Sequence, residues 1–142
     1  MKVRDLMSKP VVRIHADEPV SLAARTLTHY NIGVMPVCGA DGKVCGVITD
    51  RDIVTRCLAA DRSPAYTRVR DVMTGQVLAV SPDADVSSAA QLMASHQVRR
   101  LPVVENGRLC GMISLGDLAN SQEDPGETVR TLADITNNIS MR

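Results

Sequence analysis

The chain contains no Phe, no Trp and only two Tyr among its 142 residues. Platforms for stacking bases are nearly absent, which argues against recognition of single-stranded nucleic acid. The core has to be assembled from Val, Ile, Leu, Met and Ala instead. Sixteen basic residues balance sixteen acidic ones, and with the basic residues scattered there is no polybasic footprint for nucleic acid or an anionic membrane. No apolar run approaches the length of a membrane span, and the opening MKVRDLMSKP mixes charge with apolar residues, unlike a secretion signal. Neither nucleic acid nor a membrane is expected as a partner, and a cytoplasmic protein is the natural expectation. What the chain does have is an apolar share of 44%, enough for a packed core at this length.

It also has one unit written twice. An offset of 66 positions carries Arg4-Asp5-Leu6-Met7 onto Arg70-Asp71-Val72-Met73, and then Val20-Ser21 onto Val86-Ser87, Ala23-Ala24 onto Ala89-Ala90 and Pro36-Val37 onto Pro102-Val103. After one residue is dropped in a turn the offset becomes 65, and Cys45-Gly46, Ile48 and Asp52 fall on Cys110-Gly111, Ile113 and Asp117. Repetition of this kind is read before any fold is proposed. It divides the chain into a first repeat over 1–66, a second over 67–122 and a C-terminal segment over 123–142.

Each repeat reads as strand, helix, strand, strand, helix. Val11 to Ile14 and Val77 to Val80 are short and rich in β-branched residues, hence strands. Val20, Ala23, Ala24 and Leu27 follow helical spacing, as do Val86, Ala89, Ala90 and Met93. Two hairpins follow, one turning at Ala40-Asp41-Gly42 with Gly in the left-handed position, the other at Asn106-Gly107. Second helices are expected over Asp50 to Ala60 and Leu115 to about Gln122. A unit of roughly 60 residues is marginal by itself, so the fold class expected is α+β, two β-α-β-β-α units packed with pseudo-twofold symmetry. Outside the repeats, Val129, Leu132, Ala133 and Thr136 share one helical face, which predicts a short amphipathic C-terminal helix.

The junction of last strand and last helix carries the chemistry. Thr49 with Asp52, and Ser114 with Asp117, stand three residues apart at a helix start. One reading is a capping box, the hydroxyl accepting from a free backbone N–H and the acid reaching back to the cap. The other is a ligand site: the helix start attracts a phosphate, and the acceptor-only carboxylate suits the paired hydroxyl donors of a ribose. A capping hydroxyl is able to serve both.

With its hydrophobic-Pro-Val run, its Gly-apolar-apolar-Thr/Ser-x-x-Asp junction and its preceding Ala-rich helix, the unit resembles the CBS domain, named after cystathionine beta-synthase and found in tandem as Bateman modules. The resemblance spans about residues 1 to 122. It implies a regulatory module without catalysis, binding AMP, ADP, ATP or S-adenosylmethionine in clefts between the repeats and signalling to an unidentified regulated protein by a change in conformation. It implies Thr49 and Asp52 in one cleft, Ser114 and Asp117 in the other, and adenine contacts from Ile32, Gly33, Val34, Val98, Arg99 and Arg100. It implies a homodimer and no required cofactor. Metal is disfavoured on the residues themselves, except as a companion to a nucleotide, since no cysteine pair has a zinc-ligand spacing matched by a second pair and Asp50 and Asp52 diverge two apart on a helix start. Gly46 and Gly111 fit the same pattern, as positions that admit close backbone approach. The alternative within this resemblance is an assembly protein whose clefts stay empty. An enzyme is disfavoured, because the sequence has no nucleophile elbow, no P-loop and no paired metal-ligand motif.

Three further expectations concern side chains. If Val103 lies opposite Cys110, Val37 lies opposite Cys45, so that Cys38 points away from Cys45 and a hairpin disulfide is disfavoured; all four cysteines then read as small apolar residues or free thiols. His96 stands close enough to the Val98 run to reach a phosphate. Arg51 and Arg56 beside Asp52 lead to the expectation that this cleft responds more strongly to added phosphates, with Arg99 and Arg100 as an offset in whichever cleft receives them.

Overall fold

Helical spacing of small apolar residues becomes two matching helices, Val20–Tyr30 (α2) and Val86–His96 (α4), each closed by a left-handed residue, Asn31 and Gln97. The computed structural model describes residues 1–9 and 11–120. Helix α1 covers Val3–Leu6. After it, strand β1 (Ile14–His15) pairs parallel with β2 (Val34–Cys38), which pairs antiparallel with β3 (Val44–Thr49). A second hairpin joins β4 (Arg100–Glu105) to β5 (Arg108–Ser114). Both turns have the expected form, with Gly42 at φ 79° and Asn106-Gly107 at φ 54° and 81°, the left-handed pair that a two-residue hairpin needs.

Each half carries its own core. Val12–Val77 form one compact unit, and Met1–Val11 with the described residues from Leu78 on form the other. In the first, Val20, Ala23, Leu27, Met35, Val37 and Ile48 are buried together with Val69 and Val72. In the second, the counterparts Val86, Ala89, Met93, Leu101, Val103 and Ile113 are buried together with Val3. The opening Arg-Asp-x-Met stretch of each sequence repeat therefore packs into the unit built by the other repeat's strands. Ion pairs hold these straps: Arg70 donates to Asp17 through Nε at 2.7 Å and through Nη2, and Arg4 pairs with Asp83.

Hydrogen bonding from the Arg70 guanidinium holds the Asp17 carboxyl below its ordinary value of 3.8. A lowered folded-state pKa contributes stability at pH above 3.8 that is lost as the pH falls through the lowered value. Asp17→Asn is expected to flatten the acid limb of the thermal-stability profile below about pH 4, by a small amount because the pair is exposed. An acid limb identical to that of the wild type would dismiss the pairing as a source of stability.

Three features differ from the sequence reading. The strands expected over Val11–Ile14 and Val77–Val80 shrink to Ile14–His15 and a single parallel bridge from Val80 to Val103, because Val12 and Leu78 pack against the cores rather than pair. Val37 stands opposite Gly46 and Val103 opposite Gly111, not opposite Cys45 and Cys110, because each cysteine is the extra residue of a bulge. Cys38 does stand opposite Val44, as expected, and all four cysteines are free. Burial pushes the thiols of Cys38 and Cys45 above the usual range, which makes them poor nucleophiles. The helix after β3 is α-helical only over Asp50–Asp52 (α3) and continues as π turns over Ile53–Leu58. Helix α5 is seen over Leu115–Ala119; its expected end at Gln122 and the C-terminal helix lie outside the described residues.

Candidate functional site

At both junctions the capping box is complete. Thr49 Oγ1 accepts from the Asp52 N–H at 2.9 Å while Asp52 Oδ2 accepts from the Thr49 N–H at 3.1 Å. In the other half Ser114 Oγ accepts from the Asp117 N–H at 3.1 Å, and Asp117 Oδ2 accepts from the Ser114 N–H at 2.8 Å. The extended backbone of Thr49 and Ser114 makes this possible, since it turns the side chain over the first helical turn.

The strand-start residues come to the same place. Val34 pairs with Thr49 and Arg100 with Ser114. One residue back, the Gly33 carbonyl accepts from the Asp50 N–H at 3.1 Å and the Arg99 carbonyl from the Leu115 N–H at 2.8 Å. Ile32, Gly33 and Val34 thus lie beside Thr49 and Asp52, and Val98, Arg99 and Arg100 beside Ser114 and Asp117, each set within its own half. Arg99 and Arg100 are exposed, and among the described residues their guanidiniums make no ion pair. His96 is turned to its own helix, Nδ1 lying 3.3 Å from the Leu92 carbonyl oxygen.

Close backbone approach at Gly46 and Gly111 is made by the chain itself. A Cβ at Gly46 would stand 2.7 Å from the Thr74 carbonyl oxygen and 2.8 Å from Met73 Sδ; at Gly111 it would stand 2.8 Å from Met7 Sδ and 3.0 Å from the Ser8 carbonyl oxygen. These contacts bring in Thr74, which sequence reasoning missed, beside Arg56, which it placed near Asp52. Thr74 lies with Oγ1 3.4 Å from both oxygens of Asp52, and Arg56 Nε is 3.8 Å from Oδ1. The signal was present, since Thr74 and Ser8 end the matched runs RDVMT and RDLMS.

A hollow of about 370 Å³ opens beside Leu27, Thr28, Ile32, Asp50, Ile53 and Val54. Ile32 reaches it, while Thr49 and Asp52 do not line it. No group of three or more His, Cys, Asp or Glu among the described residues is placed to hold a metal ion, and no described helix is long and apolar enough to cross a membrane.

A family model described as CBS domain matches residues 3–59 and 69–124. The chain belongs to the CBS-domain family. Protein YlbB of Bacillus subtilis is 37% identical over 136 residues, covering 95% of this chain and 91% of that protein. The crystal structure of hypoxic response protein I with two coordinated zinc ions superposes with a TM-score of 0.76 at 33% identity, covering 84% of this chain and 97% of that one. The CBS domain pair of protein MJ0100, in complex with 5′-methylthioadenosine and S-adenosyl-L-methionine, superposes with a TM-score of 0.72 at 28% identity, covering 84% and 93%. The tandem pair and the α+β fold are those of CBS-pair proteins. The match of an inosine-5′-monophosphate dehydrogenase is confined to 24% of that enzyme.

Proposed function

We propose that this CBS pair is a cytoplasmic regulatory module that binds an adenosyl compound, AMP, ADP, ATP or S-adenosylmethionine, and passes its occupancy to a regulated protein through a shift in conformation. The observation that carries the reading is the doubled junction: in each half a hydroxyl, a carboxylate and the backbone before the hydrophobic-Pro pair are tied together by hydrogen bonds. Carboxylates accept from ribose hydroxyls, and strand-start backbone offers donors and acceptors to a base edge. That protein MJ0100 holds adenosyl compounds in a CBS pair favours the same ligand class. The module needs no cofactor and performs no reaction. A second copy of the chain is its expected partner, through the helical face where Val54 and Leu58 are 55% and 52% exposed beside the hollow.

A second reading, an assembly protein with empty sites, is favoured by the completeness of both capping boxes, which accounts for the hydroxyls and acids without a ligand. Thermal unfolding with a panel of adenosine, AMP, ADP, ATP and S-adenosylmethionine separates the two. A ligand at 100 times its Kd adds about 2.7 kcal/mol of stability, so at least one member is expected to raise Tm by several degrees. No shift from any member at millimolar concentration would hand the case to the assembly reading. Sedimentation of the same samples reports the dimer, and a monomer at all concentrations would remove it.

A further inference from the structure

We propose that the two acids are unequal: the half around Asp117 is the open adenosyl-binding half, while Thr74 and Arg56 form a latch over the carboxylate of Asp52. This rests on the adenosyl-binding reading and deepens it. In both halves Oδ2 is committed to the capping box, at 3.1 Å in Asp52 and 2.8 Å in Asp117. What differs is the rest of the carboxylate.

Over Asp52 the Thr74 hydroxyl lies 3.4 Å from both oxygens and the Arg56 guanidinium 3.8 Å from Oδ1. The two contacts belong to one device. Arg56 Nη1 donates to the Met73 carbonyl at 3.0 Å and, at 3.4 Å, to that of Val72. The strap itself is pinned by the Val47 and Thr74 backbones, which exchange hydrogen bonds of 2.9 and 2.8 Å. Asp52 is left 7% exposed. In the other half Ser8 holds the place of Thr74 and exchanges backbone hydrogen bonds of 2.8 and 3.2 Å with Met112. Its hydroxyl makes no bond with Asp117 among the described residues, and the sequence position matching Arg56 is Ser121, which carries no charge. Asp117 is partly exposed.

A ribose diol brings two donors and needs free acceptor positions. At Asp117 it meets Oδ1 with no partner among the described residues. At Asp52 it has to displace the Thr74 hydroxyl and share the carboxylate with Arg56. Contacts this long are individually weak, so the latch attenuates binding rather than abolishing it. Local charge runs the same way and reverses the expectation drawn from Arg51 and Arg56: the first junction sets Arg51 and an Arg56 already engaged by the Val72 and Met73 carbonyls against Asp50 and Asp52, whereas the second sets Arg99 and Arg100 against Asp117, with Leu115 in the place of Asp50. A preference for AMP over adenosine therefore belongs to the Asp117 half and shrinks as salt rises.

Calorimetric titration of AMP and adenosine into the wild type, Asp52→Asn, Asp117→Asn and Thr74→Val tests this. The tighter binding event should vanish in Asp117→Asn and survive in Asp52→Asn, and Thr74→Val should tighten the weaker event several-fold. Loss of the tighter event in Asp52→Asn, or two events untouched by Thr74→Val, overturns the proposal. Double-mutant cycles in unfolding test the latch without ligand. Thr74→Val and Asp52→Asn should couple, while Ser8→Ala and Asp117→Asn should not. Should neither compound bind the wild type, the adenosyl reading fails and the cycles alone decide: a coupling confined to Thr74 and Asp52 upholds the inequality, and equal couplings overturn it.

Discussion

Gly46→Ala is expected to unfold well below the wild type, and Gly111→Ala below it by a smaller margin. Neither glycine has a positive φ, so the cost is one of space rather than of backbone conformation. At Gly46 the added methyl meets the Thr74 carbonyl oxygen at 2.7 Å. That oxygen accepts from the Val47 N–H at 2.9 Å, and retreat would break the bond that pins the strap. Met73 Sδ at 2.8 Å adds a second clash, although a flexible side chain yields more cheaply than backbone. At Gly111 the order is reversed: the closest atom is Met7 Sδ at 2.8 Å and the backbone oxygen of Ser8 is at 3.0 Å. Overpacking costs about 1–3 kcal/mol and occasionally more, so Gly46→Ala belongs at about 3 kcal/mol and Gly111→Ala at about 1.5. For a chain of this length each kcal/mol moves Tm by roughly 3 °C. Gly75→Ala is the control, since nothing lies within 4 Å of its Cβ position; it should be neutral or slightly stabilising. Equal Tm values for Gly46→Ala and Gly75→Ala would sink the argument.

The core was legible in the sequence because its signals are local and doubled. Val20 with Val86 and Leu27 with Met93 recur at helical spacing in both copies, and all four are buried. The capping boxes were legible for the same reason, being set by residues three apart. The bulges at Cys45 and Cys110 were not, because both hairpins carry one at the same place and aligned repeats are blind to an irregularity they share. Nor does Ile53 with Cys57, buried four residues apart, distinguish α from π turns over so short a run. The exchange of straps was hidden for a different reason. Repetition makes a pairing of Arg4 with Asp17 and Arg70 with Asp83 as plausible as the one observed, Arg4 with Asp83 and Arg70 with Asp17. Only tertiary packing of Val3 and Val69 in opposite cores decides between them. The Thr74 contact to Asp52 follows from that exchange and was hidden with it.

Asp117→Ala is expected to weaken AMP binding at its own half by about 10- to 150-fold, the range that follows from a charged hydrogen bond of roughly 1.5–3 kcal/mol. The residue has two roles to lose. Its Oδ2 accepts from the Ser114 N–H at 2.8 Å, and removing that half of a capping box costs about 1 kcal/mol of stability, a few degrees in Tm. Its Oδ1 has no hydrogen-bond partner among the described residues and is the acceptor assigned to the ribose. The stability loss therefore occurs whether or not a ligand exists, and by itself it says nothing about function. The two roles separate when the ligand is changed along with the residue. Removal of a ribose hydroxyl, as in 2′- or 3′-deoxyadenosine monophosphate, should weaken binding to the wild type but leave Asp117→Ala with little more to lose. The double change should then be far from additive, as it is for groups in direct contact. If the deoxy analogues weaken wild type and variant by the same factor, the ribose is read elsewhere. If AMP affinity is unchanged while Tm falls by the worth of a cap, the carboxylate is a helix cap and takes no part in recognition.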